Sequence, residues 1–216
     1  MKCRGMALLT GLVLMAAISL LALTAAGGMS LQRQQAANHE DKARATERSG
    51  LASSHALAWL LSRQDSERQA GCIRDCLLPD GVLGPGEVPE QAAFETAAWW
   101  RSNATSAGAH PLSGERLGFA ALAGDDALWL LEEVHYETLP EPELDGTASG
   151  VGYYRILARG KGRNLRSVSV SEAIVARPWG GVYEPASYPP DRPSAAFCGQ
   201  FEPSLPCGML AWRERR

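Results

Sequence analysis

The chain has 216 residues, 45% hydrophobic and 21% charged, with a formal net charge of −3. That length allows one modest core plus an anchor rather than two full domains. The acidic balance, with no basic stripe and no interleaving of basic and aromatic residues, argues against nucleic acid as a partner.

Met1-Lys2-Cys3-Arg4-Gly5 is a short basic leader, residues 1–5. It runs straight into an uncharged stretch that opens Met6-Ala7-Leu8-Leu9 and meets no charge before Arg33. A helix rising 1.5 Å per residue needs roughly 20 apolar residues to cross the hydrocarbon core. Residues 6–31 therefore predict a membrane-spanning helix. Lys2 and Arg4 predict an N-terminus in the cytoplasm and the remainder outside, in a single pass. An ordinary signal peptide would instead be cut near Leu23-Thr24-Ala25-Ala26, but its apolar core is only about 7–15 residues long. A plain anchor on an unrelated periplasmic domain is the third possibility.

The helical pattern continues through residues 32–64 as a polar half with a thin apolar stripe. Ala36, Ala37, Ala43 and Ala45 lead to Leu51, Leu57, Trp59, Leu60 and Leu61. Mixed charges from His39 to Arg48 read as a solvated face with i,i+4 pairs. Each glycine costs a helix roughly 1 kcal/mol against Ala, so Gly27-Gly28 predicts a bend or a melted turn.

Residues 65–216 read as the head. Pro79-Asp80-Gly81 and Gly84-Pro85-Gly86 signal turns. Pro89 predicts a short helix over Glu90–Ser102 that offers Phe94, Ala97, Ala98 and Trp100 for burial. Strands are expected over Ala127–Tyr136, Gly152–Arg159 and Ser167–Val175. In the last of these, alternation puts Val168, Val170 and Ile174 on one face and Ser167, Ser169 and Ser171 on the other. The valine face, with Ile156, is expected to meet the Leu57–Leu61 stripe. Gly160-Lys161-Gly162-Arg163-Asn164 suits a hairpin link. From Pro178 onward, Pro and Gly predict a coil-rich tail. One long helix followed by antiparallel strands is an α+β order, with the helix packed on a small sheet.

Arg4-Gly5-Met6-Ala7-Leu8-Leu9 resembles the prepilin leader of type IV pilins. Leu31-Gln32-Arg33-Gln34-Gln35-Ala36-Ala37-Asn38 and Tyr153-Tyr154-Arg155-Ile156-Leu157-Ala158-Arg159-Gly160-Lys161-Gly162 are similar to segments of minor pilins of the PilX type. Together these cover about a third of the chain. The resemblance implies cleavage between Gly5 and Met6 by a prepilin peptidase, methylation of the new N-terminus and a pilin-like fold. It also implies assembly with other major and minor pilins through N-terminal helices, and incorporation into a pilus at the cell surface. Where major pilins usually carry Glu at the fifth mature position, this chain has Thr10, whose hydroxyl cannot neutralise an ammonium. That departure points to a minor subunit of a type IV pilus. A minor pseudopilin of a type II secretion system and a signal-peptide-bearing periplasmic binding protein are the alternatives.

Of the five Cys, Cys3 would leave with the leader. Cys72, Cys76, Cys198 and Cys207 lie outside the membrane, where an even number implies disulfides with three possible connectivities. The pairs closest in sequence are Cys72 with Cys76 and Cys198 with Cys207. No CxxC spacing supports zinc, so no metal or other cofactor is expected. No catalytic constellation is visible and no enzyme is expected. His39, His55, His110 and His135 match no ligand spacing, and His55 reads as solvent-facing. Asp125-Asp126 and Glu132-Glu133 read as a solvated turn and a strand edge rather than as acid–base or calcium pairs. Leu144–Gly150 reads as a flexible loop, and Asn103-Ala104-Thr105 fits a glycosylation acceptor.

Overall fold

A computed structural model describes residues 4–118, 124–140, 148–164, 167–190 and 193–215. Helix α1 runs from Arg4 to Leu61, 58 residues with no proline to interrupt it. Gly27 and Gly28 lie within it as continuous helix, against the expected bend. Their lost propensity is about 2 kcal/mol, small beside the hydrogen-bonded turns on either side. The helix closes where Ser62 N–H bonds the Ala58 carbonyl at 3.0 Å and Arg63 N–H bonds that of Leu60 at 3.3 Å. Its last-turn carbonyl at Leu61 accepts from Ala186 N–H at 3.1 Å, so a tertiary donor satisfies a group the helix itself leaves open.

The chain divides into two units, Met1–Asp41 and Lys42–Arg216. In the second, an antiparallel sheet has the order β1-β2-β3-β4-β5. The strands are β1 (Thr105–Ser106), β2 (Ala127–Thr138), β3 (Gly150–Lys161), β4 (Val168–Trp179) and β5 (Gly208–Arg215). The three long strands form where β-branched and aromatic residues recur; each runs past its expected C-terminal end, and the last begins at Val168, one residue later than expected. The long helix on this sheet makes the fold α+β. The Gly160–Asn164 segment leads into the β3–β4 connection, where Gly162 N–H bonds the Ser167 carbonyl at 2.8 Å.

Two expectations for the sheet are corrected. The face of β4 that meets α1 carries the serines. Ser49 Oγ lies 2.6 Å from Ser171 Oγ and donates to the Ala158 carbonyl at 3.1 Å, and Thr46 reaches Ser169 at 3.4 Å. Small side chains allow the backbones to close up. A Cβ on Gly160 would fall 2.1 Å from the Ala45 carbonyl. Val170 turns to the opposite face, in a second cluster with Leu128, Leu130, Leu157, Val88, Ala92 and Trp100, while Val168 is 42% exposed. Ile156 does pack with the helix, in the main core with Leu57, Trp59, Leu60, Leu61, Trp129, Leu131, Tyr154 and Val175.

The tail is the second correction. After α3 (Ser194–Cys198) it forms β5, which pairs with β4 from Val170↔Arg215 to Ala176↔Gly208. The helix expected over Glu90–Ser102 is also split. A 3-10 turn spans Ala92–Phe94, then extended Glu95 leads to Thr96, whose side chain accepts from Trp99 N–H to cap α2 (Ala97–Asn103). Trp100 is buried with its Nε1–H on the Ala92 carbonyl at 3.0 Å, whereas Phe94 is 68% exposed.

Candidate assembly interface

Gly5 and Met6 lie in the first turns of α1, and Thr10 follows one turn later. From Leu9 to Leu23 the large apolar side chains are 57–74% exposed and point all round the helix. Nothing within this segment covers them, as for a helix that meets lipid or other helices. Its hydroxyls are turned back onto the helix: Ser19 Oγ donates to the Met15 carbonyl at 2.8 Å and Thr24 Oγ1 to that of Leu21 at 2.9 Å. A hydroxyl satisfied in this way costs little in an apolar medium. Among the described residues, one helix is long and apolar enough to cross a membrane, and it is this one.

The head carries Cys72–Cys76 and Cys198–Cys207 as disulfides, with Cα–Cα distances of 5.6 and 5.5 Å. Cys198 at the end of α3 is thereby tied to the residue before β5, where Gly208 turns the chain at a φ of +82°. The first disulfide loop hangs on Arg68. Its guanidinium donates to the carbonyls of Gln69 at 2.9 Å and Cys72 at 3.2 Å, and to both oxygens of Glu133 at 2.8 and 2.9 Å. Tyr154 donates to the same carboxylate at 2.8 Å, and Trp179 Nε1–H donates to Tyr154 at 2.8 Å. Burial first, then the Glu133 charge, pushes the Tyr154 hydroxyl well above its ordinary value, so it stays a donor. Burial pulls Arg68 down, and its bonds to Glu133 outweigh that, leaving it raised.

No family model, curated protein or solved structure matches the chain. The residues must therefore speak through their own geometry.

Glu132 and Glu133 are a correction to the strand-edge reading, since both are buried, on opposite faces of the sheet. Glu132 accepts from Gly86 N–H at 2.7 Å, Val88 N–H at 3.3 Å and Arg155 Nε at 2.8 Å, which clamps the 83–88 loop over β2. Asp125 and Asp126 sit in a turn and pair with Arg101 at 3.7 Å and Arg48 at 3.3 Å. His55 is a further correction: it is 6% exposed, with Nδ1 3.5 Å from the Tyr188 hydroxyl. Trp59 anchors that cluster, edge-on to Tyr188 and His110, with its Nε1–H on the Asp80 carbonyl at 2.8 Å. His135 stacks on Tyr153, away from this group. Among the described residues, no three His, Cys, Asp or Glu gather as metal ligands. Asn103 is exposed, with its amide donating to the Trp99 carbonyl at 2.8 Å. Lys2, Cys3 and residues 144–147 lie outside the described residues.

Sequence reasoning missed the Arg68–Glu133–Tyr154–Trp179 network. The available signal was an adjacent acid pair flanked by Leu128-Trp129-Leu130-Leu131 and Val134 in one strand, a place where carboxylates require partners.

Proposed function

We propose that this chain is a minor pilin that takes part in the assembly or initiation of a type IV pilus. The observation that carries the reading is the order at its N-terminus: a basic leader, Gly5, then an uncharged apolar helix that runs on as the helix covering the sheet. A secretory peptidase would remove such a helix, whereas a prepilin peptidase on the cytoplasmic face removes only residues 1–5 and leaves it in place. The mature chain then begins at Met6, is methylated there, and sits in the inner membrane with its head in the periplasm. From there it enters the pilus beside the N-terminal helices of other major and minor pilins. No carboxylate occurs between Met6 and Gln32, so this subunit offers nothing with which to neutralise a neighbour's terminal ammonium. That suits a starting or terminal subunit, present in few copies, and the chain acts as a structural element and not as an enzyme.

N-terminal mass analysis tests the reading. Wild-type protein starts at Met6, and Gly5→Glu leaves the full precursor in the membrane, because a glycine there can lie flat against a peptidase where a side chain cannot. A start near Ala26 or Gly27 overturns it. Deletion should remove surface pili; loss of protein secretion with pili intact would assign the chain to a pseudopilus instead.

A further inference from the structure

Among the described residues β5 ends the sheet: it pairs with β4 on one side, and no strand follows it in the order. The outer side of such a strand presents backbone N–H and C=O groups that template another chain, and natural edges are commonly guarded by charged side chains. Here the charged side chains are engaged in ion pairs and hydrogen bonds, with Arg213 still 62% exposed. Arg213 Nε donates to Glu172 Oε2 at 2.6 Å, Arg215 Nε lies 3.3 Å from the same oxygen, and Glu214 accepts from Ser169 at 3.1 Å. Besides Arg213, what β5 leaves open is apolar: Met209, Leu210 and Trp212 are 45–50% exposed.

Met209 also lines a cleft of about 790 Å³ between the last turns of α1, the 184–190 segment and α3, a size in the range of ligand sites. Leu57, Leu61 and Phe197 make its walls apolar. Glu184 is the one charged residue among its described lining residues. Gln200 fixes the Glu184 backbone from both sides, accepting from its N–H at 2.8 Å and donating to its carbonyl at 3.0 Å. The open edge and the cleft thus meet at one residue.

We propose that this joint surface binds an extended segment of another protein, which adds to β5 as a further strand. That segment seats one aliphatic or aromatic side chain in the cleft and sets a lysine or arginine against Glu184. A strand is the occupant because, among protein segments, an extended backbone is what pairs with edge amides in series. The cation follows from charge complementarity to Glu184. The inference rests on the head alone and stands apart from the pilin reading.

The test uses the full-length protein in detergent micelles with the synthetic peptide acetyl-Lys-Val-Thr-Val-Thr-Val-amide, followed by hydrogen exchange. Saturable slowing confined to residues 208–215 is expected. A peptide with proline at the third and fifth positions should give none. Glu184→Gln should weaken binding roughly threefold, the scale of an exposed ion pair, and so should Glu in place of the peptide's Lys. Equal protection by the proline peptide, or none from the first peptide at about 1 mM, overturns the proposal. An unchanged affinity in Glu184→Gln overturns the cation assignment. Protection of β5 that grows with protein concentration and needs no peptide overturns the heterologous partner in favour of a second copy of this chain.

Discussion

The two halves of α1 share one backbone and differ in everything attached to it. From Leu9 to Leu23 large side chains point in every direction and stay exposed. From Lys42 to Ser54 a stripe of small residues, Ala45, Ser49, Ala52 and Ser53, is buried, and from His55 to Leu61 every residue is buried, with Leu57, Trp59, Leu60 and Leu61 in the main core. Small residues bring a helix close to its partner and large ones fill the space left beyond it. The first half carries no such graded pattern, and its large apolar side chains stay exposed all round. Side-chain size along one helix thus separates a part that must be matched atom by atom from a part that need only be apolar.

The largest expected effect tests that separation directly. Gly160→Val puts atoms where the Ala45 carbonyl already lies, and should destabilise the head by about 3 kcal/mol or more, measured by denaturant unfolding. Gly11→Val, where a Cβ meets nothing within 4 Å, should leave head stability unchanged. Equal effects from the two would erase the distinction. Next in size, replacing Cys198 and Cys207 by Ser should cost the head roughly 2–3 kcal/mol by loop-closure entropy, with no change in membrane insertion.

A smaller effect concerns pH. Burial holds the His55 imidazole below its ordinary 6.5. The unfolded chain therefore takes up this proton at higher pH than the folded head. Stability is complete above about pH 6.5 and declines as pH falls toward the folded value. Tm should drop on acidification through that window, and His55→Gln should flatten the drop; an identical slope in the variant would remove His55 as the cause. The smallest effect belongs to the exposed half. On the minor-pilin reading, Thr10→Ala removes no carboxylate and should leave piliation within about twofold of wild type, counted by electron microscopy. Loss as complete as in a deletion strain would give that hydroxyl a role absent from the present account.

Much of the architecture could be read from residue order, because long apolar runs and clear alternation are local signals. The helix, the three long strands and the glycine-rich link near Gly160 all announce themselves in this way. β5 does not: Met209–Trp212 is apolar on both faces and Arg213-Glu214-Arg215 is charged, so alternation is lost where an edge strand is wetted on both sides. The inverted face of β4 was hidden for another reason. Hydropathy ranks valine above serine, but where Gly160 meets Ala45 not even a Cβ has room, and α1 closes there on Ser169 and Ser171, a constraint set by residues far apart in sequence. Glu133 looked solvated because its partner Arg68 lies 65 residues away. At the N-terminus the long apolar helix was legible, since an uncharged run of that length is a local signal.

The contact between Ser49 and β4 has a mechanical consequence. A stripe of small residues is nearly periodic, so by size alone α1 could slide along the sheet by one turn, about 5.4 Å, and fit almost as well. Two pins prevent this. Ser49 is held by the Ser171 hydroxyl and the Ala158 carbonyl, and Trp59 by the Asp80 carbonyl. They stand ten residues apart, about 15 Å along the axis. A pull along the helix loads both pins and the packing between them together, in shear, rather than peeling contacts away one at a time. A head attached in this manner yields abruptly and at high force, or not at all.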